Sequence, residues 1–210
     1  MLSWLLLPLT YLLGSVSFAW LAAKSKGIDL RTQGSGNLGA TNAGRVLGRK
    51  WFFIIFCADL AKGLIPVLIA LALVESGHAN ATLPVLTAAC AILGHSFTCF
   101  HGFKGGKAVA TSLGVLIGLV HVAAAITSGI WLLAWALGYG VFRLKASDAV
   151  GPASVIAALV MPFAHLSTYP QPWALLNLPL TIFLFLVAAL VIVRHRSNIA
   201  KVMGKTPPPI

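Results

Sequence analysis

Residues 108–142, AVATSLGVLIGLVHVAAAITSGIWLLAWALGYGVF, run for 35 positions without Lys, Arg, Asp, Glu or Pro. A helix needs about 20 apolar residues to cross the hydrocarbon core of a bilayer. This stretch is therefore too long for one crossing and short for two. The way it crosses decides how many times the chain spans the membrane and on which side each loop lies.

The whole chain has the same apolar character. Of its 210 residues, 59% are hydrophobic and 9% are charged, and the mean hydropathy is +0.93, values far from those of a soluble domain. Four other stretches meet or approach the length of a span, 2–23, 51–74, 83–100 and 172–193, and a fifth runs from 149 to 166. Basic residues follow the first stretch rather than precede it, so we expect an anchor and not a cleaved signal peptide.

The distribution of basic residues selects between one and two crossings. The 15 Lys and Arg residues fall at 24–50, 104–107, 143–145 and 194–205, apart from Lys62, which lies alone within a span. Basic residues near span ends favour the cytoplasmic side, and only a double crossing of 108–142 puts every cluster there. The sequence thus predicts an all-α polytopic membrane protein with seven transmembrane helices in one domain (1–210). The amino terminus lies outside, the carboxyl terminus lies in the cytoplasm, and two short spans meet near His121.

Two of the predicted cytoplasmic loops have a composition suited to phosphate. In the first, glycines at 34, 36 and 39 free the backbone to present N–H groups. Polar side chains are added by Ser35, Asn37, Thr41 and Asn42, and the planar guanidinium of Arg45 can donate two hydrogen bonds to phosphate oxygens. The second contains Lys104, Gly105, Gly106 and Lys107 just before a predicted helix, whose amino terminus attracts anions. Together they indicate a site for a phosphorylated substrate, although glycine-rich loops also serve as plain connections between spans.

Several other classes of site are disfavoured. The net charge of +11 is not accompanied by a basic helix interleaved with stacking aromatics, so we expect no nucleic-acid partner. Neither loop has Walker A spacing, and no strand precedes GSGNLG at 34–39, which argues against a dinucleotide fold. The three cysteines lie in apolar runs without metal-ligand spacing, and we predict neither a metal nor a cofactor.

Three segments carry a resemblance to a known family. They are GSGNLGATNAGR (34–45), GHSFTCFHGFKGGKAVAT (94–111) and RHRSNI (194–199). They resemble, in order, the three motifs of bacterial acyl-phosphate:glycerol-3-phosphate acyltransferases, and Asp59-x-x-Lys62-Gly63 in the second span fits the same pattern. Enzymes of this family lie in the inner membrane and make lysophosphatidic acid from acyl phosphate and glycerol 3-phosphate, the first acylation in phospholipid synthesis. The resemblance also implies a soluble acyl-phosphate-producing enzyme as a partner.

The resemblance assigns roles to matching residues. The implied catalytic residues are Ser35, Arg45, Lys104, His195 and Asn198. The implied substrate-binding residues are Gly34, Gly36, Asn37, Thr41, Asn42, Gly105, Gly106, Lys107 and Ser147. The family's third motif continues to a glutamate, whereas this chain has Lys201, Val202 and then Pro207.

The chemistry implied by the resemblance agrees with the residue inventory. An acyl phosphate is already activated, so the main task is to hold two anions together, for which Arg45 and Lys104 are suited. The chain has only four carboxylates, and we expect Asp59 to pair with Lys62 one helical turn away. The proton acceptor is therefore either His195, with Asn198 one turn away, or a phosphate of the substrate itself.

Two alternatives belong to other functional classes. A transporter of a phosphorylated solute would place polar groups near the bilayer midplane, often in repeated halves, whereas this chain keeps them at one face. A purely structural membrane subunit would leave both glycine-basic loops without a role. His95 and His101 flank the second loop, and histidines at such borders are more often packed than functional.

The double crossing of 108–142 can be tested by chemical labelling. In a background without Cys57, Cys90 and Cys99, the variants Ser35→Cys, Ser147→Cys and Ser197→Cys should react with a membrane-impermeant thiol reagent only after the cytoplasmic side is opened. Ala79→Cys should react in intact cells. Labelling of position 147 from outside would mean that 108–142 crosses once.

Overall fold

The computed structural model describes residues 2–202, and within that range it consists of helices and connecting turns without any strand. The α-helices are α1 (Leu6–Ser15), α2 (Phe18–Lys24), α3 (Ala40–Leu47), α4 (Arg49–Glu75), α5 (Leu83–Ser96), α6 (Val109–Leu119), α7 (His121–Gly140), α8 (Ala146–Thr168), α9 (Leu178–Arg194) and α10 (Arg196–Val202). Short 3-10 helices occupy Leu2–Leu5, Leu30–Thr32 and Cys99–His101. The predicted all-α class is confirmed.

The chain divides at the junction of Leu119 and Val120 into two compact units. The first contains α1–α6 and the second contains α7–α10. The junction falls inside the uncharged stretch 108–142, because α6 ends at Leu119 and α7 begins at His121. The predicted helix break near His121 is thus confirmed, with Val120 in a non-helical conformation (φ −147°, ψ 62°) between the two helices.

The helices have the lengths expected of a polytopic membrane protein. α4, α7, α8, and α5 with its following 3-10 turn are long and apolar enough to cross a bilayer, and the segment from Leu2 to Lys24 is a fifth candidate if its bent helices count as one span. α6 and α9 are apolar but shorter. Seven crossings and the orientation of the termini remain predictions.

The first predicted span is not one continuous helix, which corrects the expectation for residues 2–23. The chain bends by 41° between Leu2–Ser15 and Phe18–Lys24. Val16 is extended, and the Ser17 hydroxyl caps α2 by accepting a hydrogen bond from the Trp20 N–H at 3.2 Å. Since the last carbonyls of a helix have no partner within it, this break leaves carbonyls that must find donors elsewhere.

Glycines let the helices of the first unit pack with their backbones in contact. A Cβ at Gly14 would collide with the Ala91 carbonyl, and one at Gly94 would collide with the Tyr11 carbonyl. Gly63 of α4 lies in the same way against the Thr111 carbonyl of α6. Small residues at such crossings permit the van der Waals packing that holds helices together in lipid.

The second unit is joined by side-chain hydrogen bonds as well as by apolar packing. Trp131 of α7 donates from Nε1 to the Ser154 hydroxyl of α8 at 3.1 Å. His165 of α8 is fully buried and bonds through Nε2 to the Thr181 hydroxyl of α9 at 3.0 Å. These contacts fix α8, the helix whose first turn carries the predicted site residue Ser147.

We expect Gly94→Ala to lower the free energy of unfolding by about 1–3 kcal/mol, because the added methyl group overpacks the contact between α5 and α1. Gly129→Ala in α7 is the matched control, since nothing lies within 4 Å of the position that its Cβ would occupy. That change should be neutral or stabilising by up to about 1 kcal/mol. Thermal unfolding of both variants in the same detergent measures the difference, and equal midpoints would argue against close α1–α5 packing.

Candidate functional site

Buried apolar side chains anchor the first motif and the residues just before it. Leu30, Leu38 and Ala43 pack in one cluster with alanines of α2 and Ile55 of α4. Leu30 and Leu38 fix the two ends of the segment 31–37, so its polar residues are held close to α2 and α4.

The turn at 34–37 is built around the buried side chain of Asn42. Its Oδ1 accepts a hydrogen bond from the Ser35 N–H at 2.8 Å, and its Nδ2 donates to the carbonyls of Gln33 and Asn37 at 3.0 and 3.1 Å. Gly34 has φ +60°, and a side chain there would also collide with the Asn42 amide. Asn42 therefore organises the loop through both ends of its amide.

Two N–H groups of the predicted phosphate nest already donate to protein acceptors. Gly36 has φ +70°, as expected for such a turn, but its N–H donates to the Gln33 carbonyl at 3.0 Å, and the Ser35 N–H bonds to Asn42. The expectation that these N–H groups are available to a ligand is wrong for this structure. Among the side chains of this motif, those of Ser35, Asn37 and Thr41 belong to partly exposed residues, and Arg45 at the end of α3 is exposed.

The second motif requires the same correction. The Gly105 and Gly106 N–H groups donate to the Ser96 and His95 carbonyls at 3.1 and 3.0 Å, so they are not directed at a ligand. A Cβ at Gly105 would collide with the His95 carbonyl, and one at Gly106 with the His95 ring. These glycines thus allow the loop to approach α5 closely, while Lys104 beside them is exposed. Lys107, which follows, is partly buried.

The two motifs meet at a narrow crevice in the first unit that has no room for a water molecule. It is lined by the break in the first span (Gly14–Ser17), Leu38 of the first motif, Lys62 of α4, and His95, Thr98, Gly105 and Gly106 of the second motif. Residues at the break form hydrogen bonds with both motifs. Ser17 Oγ donates to the Leu38 carbonyl at 3.3 Å, and the Ser15 carbonyl accepts from Thr98 Oγ1 at 2.7 Å.

Lys62 lies in the wall of this crevice and was not among the predicted site residues. Its ammonium donates to the Val16 carbonyl at 2.8 Å and lies 2.9 Å from Asp59 Oδ1, so the predicted pair with Asp59 is confirmed. His95 is also buried, as expected for a packed histidine. Its Nδ1 lies 3.1 Å from the Thr111 hydroxyl and 3.7 Å from Asp59 Oδ1. The signal that could have found both residues is the presence of ionisable groups within apolar spans.

The second unit holds the remaining predicted site residues. His195 separates α9 from α10 and is buried, and its Nδ1 bonds to the Val191 carbonyl at 2.7 Å. A carbonyl can only accept, so in the neutral ring Nδ1 carries the hydrogen and Nε2 is the acceptor. The Asn198 amide packs against Gly151 of α8, and Ser147 lies one helical turn before that glycine.

The third motif departs from the family pattern within and beyond the described range. Lys201 and Val202 belong to α10, whereas Lys205 and Pro207 lie outside the described residues. Within the range 2–202, no three His, Cys, Asp or Glu side chains are grouped so that they could hold a metal ion.

Comparisons with known proteins agree with the motifs. A family model described as glycerol-3-phosphate acyltransferase matches residues 4–205. The glycerol-3-phosphate acyltransferase of Pseudomonas putida strain GB-1 is 41% identical over 197 residues, 93% of each chain, and that of Aquifex aeolicus is 38% identical over 194 residues, 92% of this chain and 91% of the relative.

Solved structures give the same result. The integral membrane glycerol 3-phosphate acyltransferase PlsY, in its glycerol 3-phosphate form, matches with a TM-score of 0.80 and 35% identity, covering 100% of this chain and 96% of that one. Its lysophosphatidic acid form matches with a TM-score of 0.77 and 34% identity, covering 98% and 94%. The resemblance inferred from the three motifs is therefore confirmed, and the chain belongs to the glycerol-3-phosphate acyltransferase family of integral membrane enzymes.

Proposed function

We propose that the protein transfers an acyl group from acyl phosphate to the 1-hydroxyl of sn-glycerol 3-phosphate, releasing lysophosphatidic acid and phosphate at the cytoplasmic face of the bacterial inner membrane. The observation that carries the proposal is the meeting of the first and second motifs at the broken span, where the Ser17 hydroxyl donates to the Leu38 carbonyl and the Thr98 hydroxyl donates to the Ser15 carbonyl. Arg45 and Lys104, the exposed cations of these two motifs, are suited to the phosphate groups of both substrates.

The proposed donor needs little covalent help from the protein. The acceptor hydroxyl oxygen attacks the carbonyl carbon, the bond from that carbon to the phosphate oxygen breaks, and phosphate leaves with the bonding electrons. Two anions must approach each other for this step, so positive charge at the site lowers their repulsion and stabilises the departing phosphate. The glycerol 3-phosphate and lysophosphatidic acid forms of the solved PlsY structures support the proposed acceptor and product.

The geometry refines the roles proposed for the first two motifs. We propose that the exposed and partly exposed polar residues of these motifs contact substrate: Ser35, Asn37, Thr41, Arg45, Lys104 and Lys107. Asn42 and Gly34 support these contacts by shaping the first turn, and Gly36 allows its positive φ. Gly105 and Gly106 support them by permitting close approach to His95.

Two proton acceptors remain open for the attacking hydroxyl. His195 is proposed as one, because its Nδ1–H is directed to the Val191 carbonyl and the neutral ring keeps its lone pair on Nε2. Asn198 is proposed as a catalytic residue of the same motif, and Ser147 is proposed to bind substrate. The other candidate is a substrate phosphate, which suits a chain with only four carboxylates.

The proposed topology has seven crossings, with the amino terminus outside and the carboxyl terminus in the cytoplasm. The proposal assigns one crossing to each of the four long helices, one to the bent pair α1–α2, and one each to the shorter apolar helices α6 and α9. Short spans are accommodated by local thinning of the bilayer at modest cost. A soluble enzyme that makes acyl phosphate is proposed as the partner that supplies the donor at this face.

The donor can be identified with purified protein, radiolabelled glycerol 3-phosphate and three acyl donors in parallel. We expect labelled lysophosphatidic acid with acyl phosphate and none with acyl-CoA or acyl carrier protein thioester. Product from a thioester alone would overturn the proposed donor. Uptake of labelled glycerol 3-phosphate into vesicles without any product would indicate a transporter instead.

Lys104→Ala tests the proposed phosphate contact. The change removes a charge-assisted hydrogen bond worth roughly 1.5–3 kcal/mol, so kcat/KM should fall by about 10- to 150-fold if the contact persists in the transition state. Lys104→Arg keeps the charge but changes its shape and should recover activity only in part. Lys50→Ala, an exposed lysine at the start of α4, is the matched control and should behave like the wild type. Near-normal turnover by folded Lys104→Ala would contradict the role of this loop.

A further inference from the structure

His95 lies against Gly105 and Gly106 of the second motif. A Cβ built on Gly106 would collide with His95 Nε2, so ring and loop are in direct contact. The backbone of the same residue accepts from the Gly106 N–H at 3.0 Å, and its neighbour Ser96 accepts from the Gly105 N–H at 3.1 Å. The segment that follows Lys104 is thus held by both the side chain and the carbonyl of one histidine.

The ring is in turn fixed by its other nitrogen. His95 Nδ1 lies 3.1 Å from the Thr111 hydroxyl of α6, and Thr111 is fully buried. The Asp59 carboxylate is 3.7 Å from the same nitrogen and is itself paired with Lys62. Since a buried imidazole with a partner at Nδ1 has little rotational freedom, the surface that it offers to Gly106 is set by α4 and α6.

From these contacts we infer that His95 is a positioning residue, held by the Thr111 hydroxyl, that fixes Gly105–Gly106 and so aims the adjacent Lys104 at a substrate phosphate. The inference rests on the proposed function, because it gives Lys104 that contact. It assigns His95 no contact with the reacting atoms. The residue is buried, and it contacts the loop, Thr111 and the Asp59 carboxylate.

A purely structural role for this histidine makes a different prediction. If His95 only filled space between α4, α5 and α6, loss of the Thr111 hydroxyl would lower stability without depending on Lys104. If it acts through the loop, the same loss should weaken substrate binding, and the effect should disappear when the Lys104 side chain is absent. A double-mutant cycle measures this coupling directly.

The experiment uses Thr111→Val, which keeps the branched shape and removes the hydroxyl, in wild-type and Lys104→Ala backgrounds of the full chain in detergent. In the wild-type background, we expect KM for glycerol 3-phosphate to rise on the order of tenfold, with kcat changed by less than about twofold, since a buried hydrogen bond is lost. In the Lys104→Ala background, the further change in kcat/KM should be less than about twofold. Thr111→Ser restores the hydroxyl and should recover near wild-type KM.

Control measurements separate activity from folding. Thr87→Val in α5 changes another buried threonine outside the proposed network and should leave both kinetic constants near the wild type. Size-exclusion elution and the thermal midpoint are recorded for every variant. If Thr111→Val does not fold, His95→Gln enters the same cycle, with the same expected dependence on Lys104.

Each outcome decides between the claims. An equal loss caused by Thr111→Val in both backgrounds, or no loss in either, overturns the positioning role and leaves the proposed function intact. Normal activity of Lys104→Ala refutes the phosphate role of Lys104, and the positioning role with it. A loss confined to the background that contains Lys104, with rescue by Thr111→Ser, supports the inference.

Discussion

The carbonyl groups exposed by the break between α1 and α2 are the constraint on which the first unit depends. Within a bilayer, a backbone carbonyl without a donor costs several kcal/mol, because no water is available to replace the helical hydrogen bond. The Ser15 carbonyl receives the Thr98 hydroxyl at 2.7 Å, and the Val16 carbonyl receives the Lys62 ammonium at 2.8 Å. Satisfying this break therefore brings the second motif and α4 to the same place, and the Ser17 hydroxyl adds the first motif through Leu38.

Charged side chains of the first unit are also paired with partners. A buried ammonium needs a counter-charge, and Asp59 supplies it to Lys62 at 2.9 Å. In the loop between α2 and α3, the guanidinium of Arg31 donates hydrogen bonds to both oxygens of Asp29 and lowers the pKa of that carboxyl. Asp59 and Asp29 are thus each paired with a cation, and the 15 Lys and Arg residues of the chain far outnumber its four carboxylates.

The glycines of the two motifs have physical roles that their spacing alone does not reveal. A glycine-rich loop beside a lysine is typical of a phosphate cradle, in which backbone N–H groups contact the ligand. Here the N–H groups of Ser35, Gly36, Gly105 and Gly106 bond to protein acceptors, and the missing side chains let Asn42 and His95 lie against the chain. These hydrogen bonds hold both loops in place, and in the proposed function their side chains, not their N–H groups, contact phosphate.

Sequence alone determined the class of protein, the helix break near His121, the pairing of Asp59 with Lys62 and the family, because each depends on local composition or on residues close in the chain. Apolar run length reports the cost of burying backbone in lipid, and a turn of helix separates the paired charges. Only the tertiary structure decided that the first span is broken, that Asn42 organises its own loop, and that His95 lies between Thr111 and Gly106. These features arise from contacts between segments far apart in the chain, such as Thr98 with Ser15 and Lys62 with Val16, and no local pattern encodes which distant carbonyl a buried donor will reach.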